Sequence, residues 1–442
     1  MNTKVITAGE KLKDIRKKYK IKQYELSGNE LTRNMISMIE TNKAGLTKNT
    51  AEILLKNIHI LCEKKSIDCD VTLEYLLESD EIQAKKICDD FIKLLNSNPT
   101  KILEDEFETS LIEIQKLLDA YKLRDKKLTI YLKLSDIFDD CRDFYKAYLY
   151  SLRAFENYND LFNNPELIDL IIKITYYCNH LKKYKEMLDF VKLAYIYMPN
   201  LPKDKEYKLK FNTIKAYKNL KDYNSALRTI DEIENTFKEN LNSDSAEKIS
   251  ILIFKANCLS EKKFFIDALQ IHRKILELTE DNVELHLVTL CNIIEVYIKI
   301  KDSQKLKEYI DKSIFYLKEY DKLENKIYSS EIYNLIGLGY YTINKFEMSK
   351  IYFNKALSKA KKYKDVDVII SAFEKLLSIA ITTNCTDEVN DLKNQLIEII
   401  SLELLPINNV VIFQFIKYYN DLGDRETIND IVNFVTSMLS KR

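Results

Sequence analysis

Glycine and proline are scarce: 6 Gly and 5 Pro stand in 442 residues, too few to turn the many short strands of a large β fold. Tryptophan is absent. No window reaches the ~18 uninterrupted apolar residues of a membrane span, and the opening MNTKVITAGEKLKDI holds no apolar core of the kind a secretory signal needs. A cytoplasmic protein with no membrane partner is therefore expected. The 8 cysteines show no CxxC spacing and the 4 histidines no ligand-like pattern, so buried free thiols are expected, with no metal and no cofactor. Gly337 and Gly339 in IGLGYY miss the GxGxxG spacing, and neither HExxH nor GxSxG occurs. No enzyme is expected.

What remains is helical. Hydrophobic residues make up 46% of the chain, and Leu, Ile, Lys, Glu and Tyr recur at the spacing of amphipathic helices, which predicts an all-α protein. The length exceeds what one core serves, so several folding units or a repeat array should follow. Charge is unevenly placed: 68 basic and 68 acidic residues cancel, yet residues 1–66 hold 14 Lys and Arg against 7 Asp and Glu. A basic head on an acidic body points to nucleic acid as a partner of the head.

The head, residues 1–79, reads as short helices. AGEKLKDIRKKYK sets Leu12, Ile15 and Tyr19 on one face; a second helix from Lys22 breaks at Gly28; a third begins at Thr32, a candidate N-cap, and turns Ile36 and Ile39 inward. LTKNTAEILLKNIHILCEKK and DVTLEYLLES supply two more. Arg16, the Gln23 that opens the second helix, ELS at 25–27 and TRNMISMIETNK together resemble the Xre/Cro-type helix-turn-helix family over residues 8–78. The chain departs from that family at Lys20, where glycine is usual, and in its shorter turn SGNE. The resemblance implies that the third helix enters the major groove with Arg33, Asn34, Met35, Ser37 and Met38 near base edges: Arg33 suits guanine, Asn34 suits adenine, and Met35 either touches a thymine methyl or turns inward. Gln23 with the start of its helix would hold a phosphate, and Lys22 and Lys43 would add charge. It also implies that Arg16 and Glu40 form a structural ion pair.

Residues 80–127 read as a linker and lead-in helices, with Asn96 to Thr100 the candidate hinge. From about residue 128 to 442 the chain repeats at intervals of roughly 40 residues, the mark of a stack of helix pairs. The clearest copy, SSEIYNLIGLGYYTINKFEMSKIYFNKALSKAKKY, resembles the tetratricopeptide (TPR) pattern, with Gly337 and Ala356 as the small residues that let paired helices approach. Degenerate copies place Ala147, Ala154, Ala194, Ala226, Ala256 and Ala268 alike. About eight pairs, wound as a right-handed α-solenoid, are expected.

A short-turn Xre head ahead of a long TPR array resembles the RRNPP family of peptide-sensing regulators. The resemblance implies a homodimer on an inverted-repeat DNA operator and a short signalling peptide in the TPR groove. Asparagine can satisfy both main-chain groups of such a peptide. Asn212, Asn257, Asn292 and Asn334 fall on the first helices of successive repeats and are the candidate clamp, with Lys215 the candidate for the peptide's carboxylate. The competing reading is chance, since asparagine is common throughout. Two other functions stay open: a TPR scaffold for a protein helix, and a protein that sequesters response regulators. LLPINNVVIFQFIKYY, too apolar for a solvated capping helix, is the expected dimer contact.

Overall fold

The computed structural model describes residues 3–97, 99, 105–237, 246–324 and 326–440, with backbone alone at 105 and 106. Every regular element among them is a helix. The chain divides into two compact units, Met1–Ala216 and Tyr217–Arg442.

The first unit opens with five short helices, α1 (Ala8–Lys18), α2 (Gln23–Ser27), α3 (Arg33–Glu40), α4 (Lys48–Lys64) and α5 (Leu73–Leu77). They enclose a core of their own, in which Leu12, Leu26, Ile36, Leu54, Ile58 and Leu76 are fully buried. Local chemistry sets their limits. Thr7 caps α1 through a reciprocal bond with Glu10, accepting from the Glu10 N–H at 3.2 Å while the Thr7 N–H reaches the Glu10 carboxylate at 3.0 Å. Thr32 caps α3 by accepting from the Met35 N–H at 3.2 Å. Lys20, where the related pattern has glycine, takes a left-handed φ of 53°. Gly9 is required by close approach: a Cβ there would lie 2.0 Å from the Ile39 carbonyl oxygen of α3.

Two helices follow, α6 (Asp80–Ser97) and α7 (Asp105–Ala120). Of the hinge expected at 96–100, Asn96 and Ser97 close α6, while residues 98 and 100 lie outside the described residues. Among the described residues sixteen helices complete the chain, and seven couples among them pack within one unit: α8 (Arg124–Asp140) and α9 (Phe144–Phe155), α10 (Pro165–His180) and α11 (Tyr184–Tyr197), α14 (Ala246–Glu261) and α15 (Phe265–Leu278), α16 (Val283–Ile300) and α17 (Ser303–Tyr320), α18 (Ser329–Thr342) and α19 (Phe346–Tyr363), α20 (Val366–Thr382) and α21 (Thr386–Ser401), α22 (Val410–Leu422) and α23 (Arg425–Ser440), with α12 (Lys203–Asn219) and α13 (Tyr223–Thr236) following α11 in sequence. The boundary between the units falls inside α12.

The small residues sit where the repeat needs them. Ala147, Ala154, Ala194, Ala226, Ala256, Ala268 and Ala356 are all fully buried. At Gly337 a Cβ would approach the Phe353 ring to 2.9 Å, so α18 and α19 can pack at this distance only over a glycine. All 8 cysteines are free, and no cluster of metal-ligating side chains occurs among the described residues. No described helix is long and apolar enough to cross a membrane.

Candidate nucleic-acid interface and ligand face

In the head, α3 is held from behind. The Arg16 guanidinium grips the Glu40 carboxylate with two bonds, Nε to Oε1 at 2.6 Å and Nη2 to Oε2 at 3.0 Å, and Nη1 also donates to the Ile21 carbonyl at 3.2 Å. The ion pair implied by the family resemblance is present. Burial alone would raise the Glu40 carboxyl, but hydrogen bonds from Arg16 and Gln23 outweigh it and hold the group below its ordinary range. Gln23 is thus partly committed: its Nε2 donates to Glu40 Oε2 at 2.9 Å, so the side chain read from sequence as a phosphate contact also braces α3.

With Ile36, Ile39 and Glu40 turned inward, Arg33, Asn34 and Met38 are exposed on the opposite face, and Ser37 and Met35 are half-buried. Met35 leans on the head core, which favours the inward alternative for it. Lys22 and Lys43 are both exposed. Sequence reasoning passed over Tyr24, an exposed ring on α2 with the Lys22 ammonium 5.8 Å from its centre. Its signal was available: an aromatic residue beside a lysine at the start of the helix that precedes the turn.

In the body, first helices of neighbouring couples are cross-linked by polar side chains at a regular register. Each first helix ends in a turn with a residue of positive φ: Arg142, Lys182, Lys263, Lys301, Asn344 and Asn384 among them. Asp136 stands six residues before Arg142 and Lys173 nine before Lys182, and they pair at 2.6 Å. Tyr341 and Ser378, three and six residues before their turns, bond at 2.9 Å. Asn257 stands six residues before Lys263 and Asn292 nine before Lys301. Asn257 and Asn292 thus occupy the same stations relative to their turns as Asp136 and Lys173.

The four candidate asparagines consequently separate into two kinds. Asn212 is buried and donates Nδ2 to the Thr175 hydroxyl at 2.9 Å. Asn334 is buried and donates to the Ser371 hydroxyl at 3.1 Å. Both clip one first helix to the next. Asn257 and Asn292 are half-buried, and neither side chain has a hydrogen-bond partner among the described residues. Lys215, in the first unit with Asn212, is half-buried with its ammonium 4.6 Å from the Phe211 ring centre, and desolvation lowers its pKa.

Farther along the second unit a cleft of about 540 Å³ opens between α20 and α22. Leu377 and Ile381 form its apolar wall and Lys375, Lys417 and Tyr418 its rim; Gln414 bridges it by donating to Glu374 at 2.8 Å. Ser378 lines it too, so the cleft lies on the cross-linked face of the first helices. Next to it, α22 buries Val411, Ile412, Phe415 and Tyr419 but leaves Val410 and Phe413 exposed, the latter at 63%.

No protein-family model matches the chain, and no curated protein matches it. Among solved structures it is similar to Bacillus thuringiensis PlcR in complex with the peptide PapR7 and DNA, at 15% identity over 63% of this chain and 96% of that one, with a TM-score of 0.29. It is also similar to the apo form of RapI, at 13% identity over 97% of this chain and 98% of that one, TM-score 0.46. A third is aspartyl phosphate phosphatase F from Bacillus subtilis, at 14% identity over 88% and 93%, TM-score 0.46. At such scores what those proteins bind is a property of theirs alone.

Proposed function

We propose that the chain is a cytoplasmic, homodimeric transcriptional regulator that reads an inverted-repeat DNA operator with its head and a short signalling peptide with its body. The DNA half of the reading is supported by the exposed Arg33 and Asn34 at the capped start of α3, backed by the Arg16, Glu40 and Gln23 network. Such a helix start can reach base edges, while Lys22 and Lys43 supply phosphate contacts whose strength falls with salt. The peptide half is supported by Asn257 and Asn292. In a face where equivalent stations are bonded, two half-buried amides without partners among the described residues are left to meet the main chain of a ligand. The exposed apolar residues of α22 favour the last couple as the dimer contact.

The DNA half is tested by selecting duplexes from a random pool with the full chain, then titrating the selected duplex with wild type and Arg33→Ala. A loss of ~1 to 3 kcal/mol and relaxed selectivity are expected; unchanged binding would remove α3 from the interface. The peptide half is tested by native mass spectrometry of the chain purified from cells producing its peptides. A bound mass of a few residues is expected in wild type and absent from Asn257→Ala combined with Asn292→Ala. Capture of a folded protein in its place would favour the scaffold reading.

A further inference from the structure

Ahead of α1, residues 3–7 form an irregular segment bound to α6 and α7. Gln83 of α6, only 9% exposed, donates Nε2 to the Ile6 carbonyl at 3.0 Å and accepts the Ile6 N–H on Oε1 at 3.1 Å. One side-chain amide thus satisfies both main-chain groups of one residue, as a neighbouring strand would. Val5 packs among the apolar residues of the core that begins at Ala84, and the Thr3 hydroxyl donates to the Glu113 carboxylate of α7.

A second tie lies where the head ends. Lys11 of α1 is 1% exposed, and its ammonium donates to the Tyr75 carbonyl at 3.0 Å, the Glu78 carbonyl at 3.3 Å and Glu78 Oε2 at 3.0 Å. The other carboxylate oxygen of Glu78 meets Lys86 of α6 at 2.6 Å. Lys86 first, then Lys11, keep the Glu78 carboxyl below its ordinary range against the effect of burial. One carboxylate joins a lysine of the head to a lysine of α6.

We infer that residues 3–7 are a strap seated in a slot on α6 and α7, and that strap and ion pair together lock the head onto the α6–α8 bundle. The direct connection from α5 to α6 is a break at Glu78 and Ser79, a single point about which a domain could swivel. The strap adds a second attachment, more than seventy residues away in sequence, and two attachments remove the swivel. The head therefore turns only when α6 turns. This holds whether or not the head binds DNA.

The test is amide exchange and methyl relaxation on the full chain. In wild type, the Ile6 N–H is expected to exchange as slowly as amides inside α6, and the methyls of Ile15 and Ile36 to relax with the same tumbling time as those of Ile130 and Ile171. Gln83→Leu should speed Ile6 exchange about tenfold or more, and Gln83→Leu with Glu78→Gln should shorten the tumbling time of the head alone. Should that pair fail to fold by circular dichroism, Thr3→Val with Val5→Ser loosens the strap without touching α6 and is expected to give the same two changes. An unprotected Ile6 amide in wild type, a head that already tumbles separately, or a strap variant that leaves both readouts unchanged would each overturn the inference.

Discussion

The couples α14–α15 and α18–α19 are built on one frame and finished differently. In α18–α19, Gly337 lies against the Phe353 ring and the Ser349 hydroxyl donates to the Gly337 carbonyl at 2.9 Å, so volume and polarity are both met at this contact, while the buried Ser329 hydroxyl at the start of α18 has no partner among the described residues. In α14–α15 the corresponding positions are Ala256, His272 and Ala268: His272 follows Phe265 by seven residues, as Phe353 follows Phe346. His272 is fully buried, and neither ring nitrogen has a partner among the described residues; the buried Ser260 hydroxyl on α14 has none there either. Unsatisfied polar groups lower the stability of the couple that carries them. This couple also carries Asn257, one of the two half-buried amides. Tight packing and buried unpaired polarity are thus divided between couples of the same design.

The comparison can be broken in four ways. Phe353→Ala should cost about 3 to 5 kcal/mol, measured by denaturant unfolding of the full chain; a cost under about 1 kcal/mol would mean that α18–α19 is no better packed than its neighbour. Acid comes next. Burial pulls the His272 pKa from 6.5 down to about 4, so the unfolded chain takes up the proton first. Its neutral form is accommodated above pH 6.5, and stability should fall between pH 6.5 and 4, by up to about 3 kcal/mol from this residue. His180 and His286, also lowered by burial, act in the same direction. His272→Phe, which copies α19, should raise stability by about 1 to 2 kcal/mol and flatten that acid slope; a loss instead would show that Ala256 leaves no room for the ring. The smallest effect separates the asparagines. Asn334→Ala should cost about 1 kcal/mol through the lost bond to Ser371, whereas Asn257→Ala and Asn292→Ala should each stay within about 0.5 kcal/mol. Equal costs at all three would erase the distinction between clips and open amides.

The cap at Thr32, the inward Ile36 and Ile39, and the small residues at 337 and 356 were legible because each depends on neighbours within one helix or one hairpin. The helical-repeat character followed from spacing alone. The asparagines were visible as a set but could not be sorted, since what distinguishes Asn334 from Asn292 is a hydroxyl 37 residues away. The bond from Gln23 to Glu40 was hidden for a similar reason, its partner lying on another helix. Residues 3–7 have no periodicity, and the side chain that holds them is 77 positions farther on, so nothing local announced them.

The shortage of glycine reappears in the turns. Each reversal inside a helix couple needs one residue in the left-handed region, and among the described residues Lys182, Lys221, Lys263, Asn344 and Asn384 fill the place that glycine occupies at least cost. The residue after it donates back to the preceding helix, as Phe264 does to Leu259 at 2.9 Å. A lysine held there gives up roughly 1 kcal/mol relative to glycine. The turns can therefore be hardened against heat from the outside, one at a time: lysine to glycine at positions such as 221 and 263, both exposed, leaves the buried faces unchanged. A protein engineer wanting a sturdier chain would begin at its corners.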